Sequence, residues 1–377
     1  MAGGAPPDAR PGRRAYNVGR SVIAGVGPTE RRLSPRATTH ELWALLRTLK
    51  SSDAGLIRLK RLHGKAFDAK AFRRFAAFVS QAEIFYGSAE TLAPESRPLV
   101  AYYAILNLAK AFLICADPAL GELRMVHGLS DGFERKQNYW FIHEQAKVSG
   151  TSSTSASVFR ELAVRTGAGF CYPVSTTLPI EKLAPYLAET ADLYEDAVAK
   201  PPKLVALQSV RTFTDGSRCW LRAEALRSEL SRRGLGPASL TGRAARFGTV
   251  FRHVKTDEST ASYESIAAHA YGGKKILVRF PQLTQAFQGS LVHLNRGSAG
   301  ARLLVVISDR TDLLSQEAVS FLVMLHLSNM VRYRPEEVAK LMATKWQFLF
   351  TDWVPRATEN FLLALTSRII GEEVQIA

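Results

Sequence analysis

The sequence predicts an α+β protein. Its N- and C-terminal helices are expected to form one bundle, with a mainly antiparallel β region inserted between them. Three observations carry that prediction. Leu99 to Ala116 is apolar on nearly every face and calls for burial all round. A second apolar stretch, Phe321-Leu-Val-Met-Leu-His-Leu-Ser-Asn-Met-Val, lies far along the chain and needs a partner. Between them, from about 140 to 310, short β-branched and aromatic runs alternate with turn residues. The expected divisions are a flexible basic arm over 1–36, a helical part over 37–145, a β-rich insertion over 146–312, and helices over 313–377 that return to the first helical part.

Taken in order, the arm is rich in proline, glycine and arginine and has no apolar period. Thr39 can cap a helix carrying Leu42, Trp43, Leu45, Leu46 and Leu49, and Gly64 is a natural stop for the helix that follows. A third helix starts near Asp68 and repeats Phe72, Phe75, Phe78, Val79, Ala82 and Phe85. Ser96 and Pro98 suit the cap and first turn of the central helix. Candidate strands are Gly169–Ser175, Leu204–Phe213, Cys219–Arg222, Phe247–Thr256, Ser262–Ala267, Lys275–Phe280 and Arg302–Ser308, with short helices near 156–166, 179–199 and 223–234. Helices then run over 315–333, from Pro335, and from Pro355.

The net charge is +15, with 49 Lys+Arg against 34 Asp+Glu, which favours an anionic partner such as nucleic acid or an acidic protein. Biased composition produces the same charge without a ligand. The densest basic cluster outside the arm is Arg58, Lys60, Arg61, Lys65, Lys70, Arg73 and Arg74, a nucleic-acid-binding candidate. Three scattered cysteines, Cys115, Cys171 and Cys219, show no metal-ligand spacing and suit a reduced cytoplasmic protein. No metal site or cofactor motif assembles: GxxxxGK[ST], GxGxxG after a strand, HExxH and GxSxG are missing. Asn107 and Lys110 interrupt the one long apolar helix, which argues against a membrane span.

Those interruptions are the first candidate site. Tyr103, Asn107 and Lys110 share one helix face, and His326, Asn329 and Tyr333 share another. If the two helices pack face to face, these residues floor a pocket. His127, Ser130, Arg135 and Lys136 form its mouth. A satisfied polar network in a closed core is the alternative. His127 is the candidate general acid/base, with Arg135 and Lys136 as phosphate stabilisers. Arg58–His63 and Arg246–His253 have a spacing found in metal-independent RNA cleavage, but chance yields it often among so many arginines.

Several blocks together resemble a family. Tyr103-Ala-Ile-Leu-Asn-Leu-Ala-Lys-Ala-Phe-Leu, His127-Gly-Leu-Ser, Arg135-Lys-Gln-Asn-Tyr, and the run from Phe321 into a tryptophan-containing helix are similar to the YaaC-like proteins of bacteria, over roughly 70–145 and 315–370. The resemblance implies a bacterial cytosolic protein of undefined biochemical activity. The helix-then-His-Gly order is also similar to HEPN-type ribonucleases of phage-defence systems, although Arg124 stands only three residues before His127. Two functions follow as expectations. One is a nucleic-acid- or partner-binding component of a multiprotein, defence-related assembly; the other is a metal-independent nuclease or nucleotide-processing enzyme.

Overall fold

The computed structural model describes residues 14–16, 30–33, 38–51, 53–64, 67–131, 145–168, 173–214, 218–270, 291–295, 301–308, 314–371 and 373–376. The main helices are α1 (Thr38–Lys50), α2 (Asp53–His63), α3 (Ala69–Thr91), α4 (Arg97–Ala116), α5 (Val158–Ala163), α6 (Gln316–Tyr333), α7 (Pro335–Met342) and α8 (Val354–Ile370). The strands are β1 (Arg14–Tyr16), β2 (Glu30–Leu33), β3 (Arg124–Val126), β4 (Leu129–Asp131), β5 (Gln145–Val148), β6 (Ser155–Ser157) and β7 (Thr177–Pro179). They continue as β8 (Leu204–Thr214), β9 (Arg218–Leu226), β10 (Phe251–Thr256), β11 (Thr260–Ser265), β12 (His269–Ala270), β13 (Leu291–Asn295), β14 (Ala301–Val306) and β15 (Glu373–Ile376).

The helix α4 is the axle. With apolar residues on nearly every face it can be satisfied only inside other elements, and α3, α5, α6 and α8 all pack on it. One continuous apolar core runs from Leu42 to Ile370. The two ends of the chain meet where Tyr102 of α4 sets its ring edge-on to Phe321 of α6, 5.7 Å between centroids. Arg368 of α8 closes the packing with an ion pair to Glu317 of α6 at 3.2 Å. The expected joining of N- and C-terminal helices is thus made through α4.

Local signals set most boundaries. Asp68 caps α3 by accepting from the Ala71 amide at 2.8 Å, and Ser315 caps α6 through the Ala318 amide at 3.2 Å. Gly64 ends α2 at φ +93°. Ser96 precedes α4 but makes no capping hydrogen bond; Arg97 binds the preceding carbonyls of Ala89 and Leu92 at 3.2 and 3.1 Å instead.

The large sheet runs β10-β11-β9-β8-β14-β13, antiparallel at every step. Its second core gathers Val205, Leu221, Phe247, Phe251 and Tyr263 under the short helices at 227–232, 239–243 and 245–248. Several segments differ from expectation. The helix expected over 223–234 begins only at Arg227, because Ala223–Ala225 pair with both β8 and β11 and Leu226 pairs with β11; cross-strand pairing overrides the helical preference of Ala-Glu-Ala-Leu. Phe247 and Gly248, expected to open the strand Phe247–Thr256, instead end a short helix, Ala245–Gly248. The helix expected over 179–199 is broken into short pieces, with Pro185 interrupting the run. Residues 173–175, expected as the end of a strand, are not one; 169–172 and Lys275–Phe280 lie outside the described residues. Within the arm, β1 pairs antiparallel with β8 and β2 pairs parallel with β15. Those two stretches are therefore strands rather than free chain.

Candidate anion-binding site

The site begins at the bend between β3 and β4. β3 runs parallel to β6, so Val126 stands beside Ser157, while β4 pairs with β5. The bend is pinned from several sides. The Phe159 amide donates to the His127 carbonyl at 3.1 Å, and the Ser149 amide donates to the Gly128 carbonyl at 3.0 Å. The Leu129 amide donates to His127 Nδ1 at 3.3 Å. Because Nδ1 accepts, the neutral ring carries its proton on Nε2, a tautomer assigned from this bond. Gly128 sits at φ +81°, and a Cβ there would lie 1.7 Å from Ser157 Oγ. Only glycine fits both conditions.

The His127 ring reaches solvent, yet desolvation by its surroundings holds its pKa below the ordinary imidazole value, and the charge of Lys110 adds to the effect. Lys110 is itself half-buried, with Nζ 5.3 Å from the centre of the Phe78 ring on α3. Burial lowers its pKa, and the Arg74 charge lowers it further. Arg74 is anchored by donating to the Leu123 carbonyl at 3.5 Å. Lys110 of α4 is thus close enough to feel the Arg74 charge from α3, and His127 of the bend close enough to feel that of Lys110. Among the described residues, no carboxylate forms an ion pair with Lys110 or Arg74. One turn earlier on α3, Lys70 is neutralised by an ion pair with Glu122.

The other candidate residues are placed as follows. Asn107 is buried and donates to the Tyr103 carbonyl at 2.9 Å, turning back on its own helix. Tyr103 stacks near Phe85, 5.4 Å between centroids, and its hydroxyl accepts from Arg332 of α6. His326 is buried and Asn329 half-buried; among the described residues no hydrogen bond joins Asn107 or Lys110 to either of them. The polar contact of Tyr103 with α6 is therefore with Arg332, not with the stripe of His326, Asn329 and Tyr333. Ser130 is exposed and donates to the Lys147 carbonyl at 3.3 Å. Arg135, Lys136 and Lys65 lie outside the described residues. Of the basic cluster, Lys60, Arg61, Lys70 and Arg73 are exposed, and Arg58 and Arg74 are half-buried. His63 spends Nε2 on the Ile369 carbonyl at 2.8 Å, which ties α2 to α8 and gives it a structural role.

Sequence reasoning passed over Glu189. Its Oε2 accepts from Gln316 Nε2 at 3.0 Å and from Trp353 Nε1 at 3.2 Å, while its buried Oε1 meets no hydrogen-bond donor among the described residues. Burial pushes its pKa up; among the described residues the side-chain donors to the carboxyl are neutral, and the nearby Arg356 guanidinium donates to the Glu189 backbone carbonyl, at 3.3 Å, rather than to the carboxyl. The only signal was an acid set in the apolar run Leu187-Ala188-Glu189-Thr190-Ala191. Near it, a cleft of about 310 Å³ lies between the helical body and the sheet, lined by Ala188, Leu204, Leu304, Glu229 and Arg232 among others. Arg233, almost wholly buried, pairs there with Glu195 and Glu229 at 3.3 and 3.2 Å.

Among the described residues, no three or more His, Cys, Asp or Glu side chains are grouped to hold a metal ion. One described helix, Arg97–Ala116, is long and apolar enough to cross a membrane, and most of it is enclosed by the protein. No curated protein and no solved structure matches the chain. A family model does, and its span includes the β region that the shared sequence blocks left out. By that match over residues 58–369, the chain belongs to the family described as YaaC-like protein.

Proposed function

We propose that this YaaC-like protein is a nucleic-acid-binding component of a larger assembly, and that it grips phosphate where Arg74, Lys110 and His127 meet. One observation carries the reading: cations gathered on a half-buried surface, with no described carboxylate paired to Lys110 or Arg74. Holding like charges together is costly unless an anion is supplied. The overall charge of +15 would draw a polyanion to that surface. The test is anisotropy of a labelled oligonucleotide across a salt series. The logarithm of affinity is expected to fall with the logarithm of salt, and Lys110→Gln to reduce the slope by about 0.7 for a single strand. Salt-independent binding removes the proposal.

The lowered pKa of His127 gives a second measurable sign. Its ring is mostly neutral at pH 7 and gains a proton as pH falls below the ordinary imidazole value. Phosphate favours the charged ring. Affinity is therefore expected to rise between pH 8 and pH 5.5, and to rise less in His127→Ala. Parallel curves for the two proteins would remove His127 from the contact.

The same ring supports the nuclease reading, because its Nε2 proton is uncommitted among the described groups and cations stand beside it. A metal-independent phosphodiester cleavage with His127 as general acid/base is expected to persist in chelator and to fall about 10²-fold or more in His127→Ala. Cleavage unchanged in that variant excludes the assignment.

A further inference from the structure

The face of α4 that carries Lys110 also carries Tyr103, two turns away. Seven residues at ~1.5 Å each place them about 10.5 Å apart along the axis. A cation–aromatic ladder is built at the Tyr103 end. Phe85 lies against Tyr103, and the Arg332 guanidinium stands 5.6 Å from the centre of the Tyr103 ring and 5.5 Å from that of Tyr333. Arg332 donates to both phenol oxygens, the bond to Tyr333 measuring 3.4 Å. These bonds hold the planes in place before any ligand arrives. Tyr333 is nevertheless 64% exposed, which leaves its ring accessible to a flat partner. Among the described residues, no carboxylate pairs with Arg332.

Resting on the reading that nucleic acid is the ligand, we propose that the preferred form is single-stranded, with a base stacked on the Arg332–Tyr333 ladder and the adjoining phosphates held by Arg74 and Lys110. Aromatic rings and guanidinium planes take unstacked bases, whose faces a duplex hides. The distance between the ladder and the basic group is one that a few nucleotides of one strand can span. An acidic protein would satisfy the cations but would leave the exposed ring without a flat partner.

The experiment compares labelled single-stranded and duplex oligonucleotides of equal length by anisotropy across the same salt series. The single strand is expected to bind on the order of tenfold more tightly. Tyr333→Ala, at an exposed helix end, is expected to keep the thermal melt unchanged. It should weaken single-strand binding by on the order of tenfold and leave the salt slope as it was. Lys110→Gln should both weaken binding and reduce the salt slope by about 0.7. Equal affinity for the two forms, or a Tyr333→Ala protein that binds the single strand normally, overturns the stacking proposal and leaves phosphate binding intact. Displacement of the strand by polyglutamate at equal charge assigns the surface to an acidic protein and also overturns it. Binding to neither oligonucleotide overturns both readings together.

Discussion

Gly128→Ala is expected to destabilise the protein by about 3–5 kcal/mol, which combines left-handed backbone strain with overpacking of a closed site. The two costs have separate origins. The residue sits at φ +81°, where an L side chain meets the following carbonyl, and a Cβ would stand 1.7 Å from Ser157 Oγ and 3.1 Å from Ser157 Cα. The hydroxyl alone can rotate away, but the Ser157 backbone cannot yield freely. It is paired with β3, and its side chain caps α5 by accepting from the Arg160 amide at 3.2 Å. The bend must therefore open, which pulls the His127 carbonyl from the Phe159 amide. Denaturant unfolding measures the loss. On a Ser157→Gly background the alanine should cost only about 1–2 kcal/mol, the strain that remains once the clash is removed. If Gly128→Ala melts like the parent, the bend is not the rigid mount described here and His127 has no fixed position.

How far this architecture could be read from sequence depends on which force decides each element. The burial of α4 was legible because its apolar residues admit no solvated face, and Tyr103, Asn107 and Lys110 stood out against that background. Asp68, Gly64, Pro98 and Pro355 act locally and did what such residues do at helix ends. At His127-Gly128 the glycine is a local signal for a turn, whereas the closure of that turn against Ser157 depends on a parallel pairing of residues some 30 positions apart that no local signal encodes. The same limit explains Ala223–Leu226, where two neighbouring strands override helical preference. The proximity of Arg74 to Lys110 was hidden for another reason. Arg74 read as one more charge in a basic run, and only the crossing of α3 over α4 separates it from the solvated Arg73 beside it. Arg332 escaped notice because one partner, Tyr103, lies 229 positions from it and the other, Tyr333, is its neighbour; Glu189 because its donors, Gln316 and Trp353, lie 127 and 164 positions away.

Glu189 gives the other large effect. Glu189→Leu conserves bulk but removes the acceptor for Gln316 and for the buried Trp353 indole, leaving that N–H unpaired, and is expected to cost about 3 kcal/mol. Glu189→Gln retains one acceptor oxygen and is expected to lose only about 1 kcal/mol at acid pH. The pH dependence follows from linkage. Burial raises the carboxyl pKa in the folded chain, so the folded state binds this proton more tightly than the unfolded state does. The contribution is fully present below the ordinary carboxylate range and is lost as pH rises through the folded pKa. His63 and His127 have the opposite sign. Their folded pKa values are lowered, so their contribution is present above the ordinary imidazole value and lost on acidification. Unfolding free energies measured from pH 4 to pH 8 should therefore improve for Glu189→Gln relative to the parent as pH rises. Curves that stay parallel over that range would mean that Glu189 is already ionised in the fold. In that event the carboxylate must be compensated by a cation, and the shell of neutral donors could not by itself account for its burial.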